Sequence, residues 1–294
     1  MLVVLGGALA ISFSAILFRL SHVSPSTGGF YRCVWPLPPL WLLARREDAR
    51  FGSRPRRARV TAWLAGAFFA ADLVLWHNAI DQVGAGLATV LGNTQVVLVG
   101  LVTWGLLGER PARSSLAAIP VVGLGVVFIS GALEQGAYGS NPQLGALYGV
   151  LTGLAYTGFL VALREGNRDL RRPAGPLFDA TASAALGCAL IGAAIGDLDL
   201  TPSWSATGWL IALALSSQVL GWLLISISLP RLPAALTSVM LTFQPVCSVL
   251  FAALLLDESP SALQLLGAAC ILAGLVVASL RARRVLAPEP EVAG

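Results

Sequence analysis

Apolar residues run along this chain in long unbroken stretches separated by short polar ones. Ten stretches can be marked, at residues 2–20, 26–44, 60–80, 85–107, 114–132, 144–163, 174–195, 206–229, 234–256 and 261–280. A helix needs roughly 20 apolar residues to cross a hydrocarbon core of about 30 Å. The runs are continuous and do not alternate, so they predict helices and not barrel strands. The expected fold class is all-α integral membrane, with ten transmembrane helices. Pro36, Pro38 and Pro39 are expected to kink or break the second helix, and Pro120 and Pro245 to bend theirs. No basic region precedes the first stretch and other spans follow it, so it reads as a spanning helix and not a cleavable signal. Met1 stands almost at its start, which leaves room for a longer natural N-terminus.

Composition agrees with a bilayer. Of 294 residues, 56% are hydrophobic and only 12% charged, with mean hydropathy +0.78. A soluble domain carries about 25% charged residues. The formal net charge of +4 comes entirely from arginine, because lysine is absent. These arginines lie between apolar stretches, so they read as topology signals and not as a nucleic-acid surface. With the N-terminus in the cytoplasm, every arginine except Arg19 and Arg32 falls on the cytoplasmic side. The outer loops then carry Asp81, Glu134, Asp197, Asp199, Asp257 and Glu258. This alternation favours an even helix count, both termini cytoplasmic, and a multi-pass protein of the cell's inner (plasma) membrane. Cys33, Cys188, Cys247 and Cys270 all lie in apolar stretches without metal-ligand spacing and read as small hydrophobes. With His22 and His77 the only histidines, no metal or cofactor is expected.

The two halves resemble each other at an offset of about 149 residues. Ala85–Pro111 reads AGLATVLGNTQVVLVGLVTWGLLGERP, and Ala234–Pro260 reads AALTSVMLTFQPVCSVLFAALLLDESP. Gln95 aligns with Gln244, Glu109 with Glu258, Pro111 with Pro260 and, further on, Gly125 with Gly274. Five helices per half is an odd number, so the second half enters the membrane upside down. Inverted-topology repeats are characteristic of secondary transporters. The expected domains are residues 1–133 (helices 1–5), residues 144–281 (helices 6–10), and a cytoplasmic tail at 282–294.

The stretch GERPARSSLAAIPVVGLGVVFI and its counterpart DESPSALQLLGAACILAGLVVA carry a resemblance to a known family. With Arg32 early in helix 2, they make the chain similar to the drug/metabolite transporter superfamily, in its EamA group. The resemblance covers nearly the whole chain. It implies a ten-helix bundle around a central cavity, with helices 5 and 10 outside it. It also implies export of a small metabolite such as an amino acid.

Ionisable groups inside a membrane are costly and often functional. Asp72, within FFAADLVLWHNAI, lies near the middle of helix 3. It reads either as a proton-coupling or amine-binding group, or as a structural carboxylate paired with Arg32. Trp76 shares its face one turn on, where a ring and a carboxylate together suit a cationic group. His77 lies near the outer end of the same helix and is a candidate for titration near neutral pH. Asn93 and Gln95 interrupt helix 4, as Thr242 and Gln244 interrupt helix 9; such amides bind substrate or join helices. Gln218 and Trp222, one turn apart in helix 8, are repeat partners of the helix 3 region. Tyr156, Ser12 and Ser14 are weaker candidates, and Arg32 either snorkels, pairs with a carboxylate or binds an anionic group. Glu109 and Glu258 at helix exits read as caps for the helix that follows. These residues place the site between helices 3, 4, 8 and 9.

The leading functional reading is a secondary transporter working by alternating access, with a proton as candidate coupling ion. Its partners are a small-molecule substrate and membrane lipids, with no nucleic acid, in a monomer or homodimer. No phosphate-binding loop is present, so ATP hydrolysis is not expected. A membrane-embedded lipid-modifying enzyme is the alternative, but the chain has neither a His-Glu metal motif nor an Asp-rich pair. A non-transporting interaction protein is the third reading.

Overall fold

A computed structural model describes residues 2–108, 110–166, 169, 171–221, 224 and 242–281. Glu109, Trp222, Arg231, most of the junction between helices 8 and 9, and the tail 282–294 lie outside the described residues. Those described form helices and no strand. Four helices are long and apolar enough to cross a membrane, at Arg56–Val83, Ala85–Leu106, Pro142–Gly166 and Ala174–Ile195. Shorter apolar helices lie at Leu5–Ser21, Arg113–Ile129, Phe243–Leu255 and Ala262–Ala278.

Several of the ten stretches are each broken into two helices. The first is α1 (Leu2–Ser12) and α2 (Ser14–Ser21), interrupted at Phe13. The second is α3 (Pro25–Val34) and α4 (Leu37–Phe51). Ser24 caps α3 and Pro25 occupies its first turn, where no N–H is needed. Pro36 stands between α3 and α4, as a proline breaker should. The third is one long helix, α5 (Arg56–Val83), and the fourth is α6 (Ala85–Gly92) and α7 (Gln95–Leu107). Gly108, in the left-handed region, closes α7. There follow α8 (Arg113–Ile129), α9 (Pro142–Gly166), α10 (Ala174–Ile195) and α11 (Trp204–Leu213). The last of these continues as a π-helical segment, Ala214–Gly221. The described part of the ninth stretch is α12 (Phe243–Leu255), and the tenth is α13 (Ala262–Arg281). Pro120 lies inside α8, whereas Pro245 falls in the first turn of α12, where it costs no hydrogen bond.

Small residues let the helices approach closely, as membrane bundles require. Helix α5 packs against both α9 and α10. Helices α8 and α13 form an antiparallel pair at glycine contacts. A Cβ at Gly125 would lie 2.6 Å from the Gly267 carbonyl oxygen, and one at Gly267 would lie 2.6 Å from that of Gly125. Gly274, further along α13, meets Val122 and Ala118. Gly125→Val is therefore expected to destabilise the protein by ~1–3 kcal/mol, because backbone cannot give way as a side chain can. Thermal unfolding in detergent measures this.

Glu258 corrects an expectation. It does not cap the helix that follows it, where Ser261 Oγ already accepts from the backbone N–H of Gln264 at 3.1 Å. Instead it reaches the other half of the chain and caps α6. Its carboxylate accepts from the N–H groups of Ala85 at 2.6 Å and Gly86 at 3.2 Å. Gly84, at φ +90°, makes room, since a Cβ there would meet Glu258 Oε2 at 2.7 Å. Burial pushes the Glu258 carboxyl up from its ordinary value, while the two N–H groups and Arg19 pull it down. The net shift is upward, so the folded protein holds this proton more tightly than the unfolded chain. The stability this gives is present below the ordinary glutamate value and is lost as pH rises through the raised one. Glu258→Gln is expected to flatten that limb of a melting-temperature profile against pH, and an unchanged profile would count against burial of this carboxyl as the source of the limb.

Candidate functional site

A cavity of about 260 Å³ opens inside the bundle. Its wall comes from six of the ten stretches. Helix α2 gives Ser14, α3 gives Arg32, and α5 gives Asp72 and Trp76. The break between α6 and α7 gives Asn93, and Gln95 begins α7 beside it. Helix α9 gives Tyr156 and α12 gives Gln244. Seven of the ten residues predicted from sequence thus converge: Arg32, Asp72, Trp76, Asn93, Gln95, Tyr156 and Gln244. No residue of α8 or α13 lines the cavity.

The break in the fourth stretch is a local feature with a clear origin. Asn93 and Thr94 make short-range bonds to the carbonyls of Val90 and Leu91, and the Asn93 side-chain amide donates to the Thr89 carbonyl at 2.8 Å. These bonds tighten the turn, and a new helix starts at Gln95. Gly153 on α9 admits the break at close range, since a Cβ there would lie 3.1 Å from the Gln95 nitrogen. Broken helices of this kind place backbone and amide groups toward a cavity in membrane proteins.

The charged groups set the chemistry. Arg32 and Asp72 are both buried and both line the cavity. They make no ion pair with each other, and Asp72 has no hydrogen bond among the described residues. The Arg32 guanidinium carbon lies 5.2 Å from the centre of the Trp76 ring, a cation–π contact. Among the described residues, Arg32 Nε and Nη1 have no acceptor, and Gln95 Oε1 and Thr152 Oγ1 are likewise unpartnered. Buried polar groups without partners are costly, so this wall suits a polar molecule bearing both an acceptor and a donor.

Two predicted residues stand outside the cavity wall. The ring of His77 stacks on Phe18, centroids 3.8 Å apart, and its Nδ1 lies 2.9 Å from the Pro25 carbonyl. It does not line the cavity, although its ring lies 5.2 Å from that of Trp76, and it packs α2, α3 and α5 together. Gln218 lies in the π-helical segment, whose neighbouring Ser217 and Gly221 meet Ala10 and Ile11 of α1. Its side-chain amide is buried without a partner among the described residues and does not line the cavity. Trp222 lies outside the described residues. Among the weaker candidates Ser14 lines the cavity, whereas Ser12 spends its hydroxyl on the Leu9 carbonyl. The sequence reading missed Thr89 and Thr152. Each stands four residues before a polar cavity residue, Asn93 and Tyr156, and that spacing was the available signal.

Similarity to known proteins agrees with this architecture. The EamA-like transporter family matches residues 1–131 and residues 143–280. A solved crystal structure of a protein covers 97% of this chain and 98% of its own, at 19% identity and a TM-score of 0.62, a likeness that carries the fold alone. No curated protein matches. The chain is a multi-pass membrane protein, and it belongs to the EamA-like transporter family.

Proposed function

We propose that this protein is a secondary transporter that exports small metabolites such as amino acids by alternating access. The observation that carries this reading is one cavity that holds both Arg32 and Asp72, buried and without an ion pair to each other. A zwitterion matches that arrangement: its carboxylate suits the guanidinium fork and its ammonium suits Asp72 beside Trp76. The cavity volume falls just below the roughly 300 Å³ at which drug-sized pockets begin, which fits one small metabolite. Asp72 is also the group that a coupling proton would occupy. Export is the direction that the family resemblance implies.

Alternating access asks for two related halves of opposite orientation, residues 1–133 and 144–281. Two observations support them. One family matches the two halves in turn. The α8–α13 contacts are also reciprocal under the offset: Gly125 meets Gly267, and their repeat partners Gly274 and Ala118 meet as well. A pseudo-two-fold axis produces such self-complementary pairs. The arginine pattern supports cytoplasmic termini.

Flux of labelled amino acids, sugars and nucleosides into proteoliposomes tests the reading. Uptake of at least one amino acid, faster with an imposed proton gradient, is the expected result. Uptake of sugars or nucleosides alone would overturn the substrate class, and no flux of any class would overturn transport.

A further inference from the structure

A second cavity, of about 510 Å³, lies at the arginine-rich end of the bundle, where α5 begins and α9 ends. Its wall includes Arg54, Arg57, Thr61, Glu165, Asp169 and Arg172. We propose that this cavity binds the phosphate head group of an anionic phospholipid.

The arginines are built into the fold but incompletely used. The side chains of Arg54 and Arg172 are 9% and 7% exposed. Arg54 Nη2 holds Asp179 at 2.7 Å, and Arg172 Nη2 holds Asp48 at 2.6 Å and also meets the Gly52 carbonyl. Each pairing occupies one nitrogen. Arg54 Nε and Nη1 and Arg172 Nε remain buried without an acceptor among the described residues. A guanidinium offers five N–H donors in a fork that matches phosphate oxygens. Arg57 is exposed at the same wall, and its side chain makes no hydrogen bond or ion pair among the described residues. The two carboxylates in the wall are not free counter-charges. Asp169 is clasped by Arg171 at 2.9 Å through both oxygens, and Glu165 is also engaged. The cavity therefore keeps donors to spare for an anion.

The surface below the cavity decides the source of that anion. Arg57, Thr61, Leu64 and Phe68 lie on one stripe of α5. The first two line the cavity, and the next two are exposed large apolar side chains. Phe68 lies over Gly158 of α9, so the stripe follows the α5–α9 seam toward the membrane interior. A basic pocket continuing into an apolar seam matches a phospholipid, whose head and acyl chain meet at that depth. A free phosphate would use only the upper part.

Native mass spectrometry of the purified full chain tests this with phosphatidylglycerol, phosphatidylcholine and inorganic phosphate as probes. Phosphatidylglycerol should be retained in preference to phosphatidylcholine. Arg57→Gln, which breaks no ion pair, should weaken its retention about fivefold. Thr61→Trp, which fills the cavity and alters no charge, should remove it while the protein keeps its elution volume and helical circular dichroism. Equal retention of the two lipids would overturn the proposal, as would retention unaffected by both variants. Displacement of phosphatidylglycerol by inorganic phosphate alone would overturn the lipid and leave a soluble anion as the ligand.

Discussion

Asp72→Asn protein is expected to insert and fold, yet to lose proton-driven flux by about two orders of magnitude, the lower end of what a positioned proton-transferring group contributes. The reason is geometric. Asp72 lines the cavity and is held by no hydrogen bond or ion pair among the described residues, so its removal breaks no structural bond. A buried carboxylate without an ion pair is costly while charged. A cation that enters, whether a proton or a substrate ammonium, relieves that cost. Asparagine keeps the size and the hydrogen-bonding groups but can do neither. Flux measured across a series of external pH values should therefore become flat as well as slow. Wild-type flux and pH dependence from Asp72→Asn protein at equal expression would remove Asp72 from the mechanism and leave it a structural group.

What the sequence made legible was governed by short-range chemistry. The break at Pro36 follows from a residue that cannot continue a helix, and the break at Asn93 from amides that compete with the backbone. The break at Phe13 had a weaker signal, since it carries neither proline nor glycine, only the flanking Ser12 and Ser14, of which Ser12 bonds back to the Leu9 carbonyl. The convergence of Asp72, Trp76, Asn93 and Gln95 could be anticipated because polar residues inside apolar stretches seldom face lipid. His77 shares that polarity, but its acceptor is the Pro25 carbonyl, 52 residues away in sequence. A tertiary partner of that kind leaves no trace in spacing. Glu258 shows the same limit: an acidic residue near a helix start is a sound cap, but which helix it caps depends on how the halves dock. Gln95 and Gln244, aligned by the offset, both line the cavity, each in the first turn of a helix.

Arg32→Gln is expected to raise the KM for a carboxylate-bearing substrate about 30-fold or more. This corresponds to the ~2 kcal/mol low end for truncating one partner of a buried charge pair. The guanidinium lines the cavity with Nε and Nη1 unpartnered among the described residues, and its carbon lies 5.2 Å from the centre of the Trp76 ring. Glutamine removes the charge and the fork together. Arg32→Lys restores the charge without the fork and should recover only part of the affinity. An amine analogue lacking the carboxylate separates binding from packing, because its KM should be nearly unchanged by Arg32→Gln. The same pair of variants also tests the alternative in which Arg32 merely balances the charge of Asp72. In that case the Arg32→Gln, Asp72→Asn double variant would recover stability that each single variant loses, a coupling that a double-mutant cycle reads directly. Separate substrate contacts predict the opposite pattern: no mutual rescue of stability, and flux in the double variant no higher than in Asp72→Asn alone.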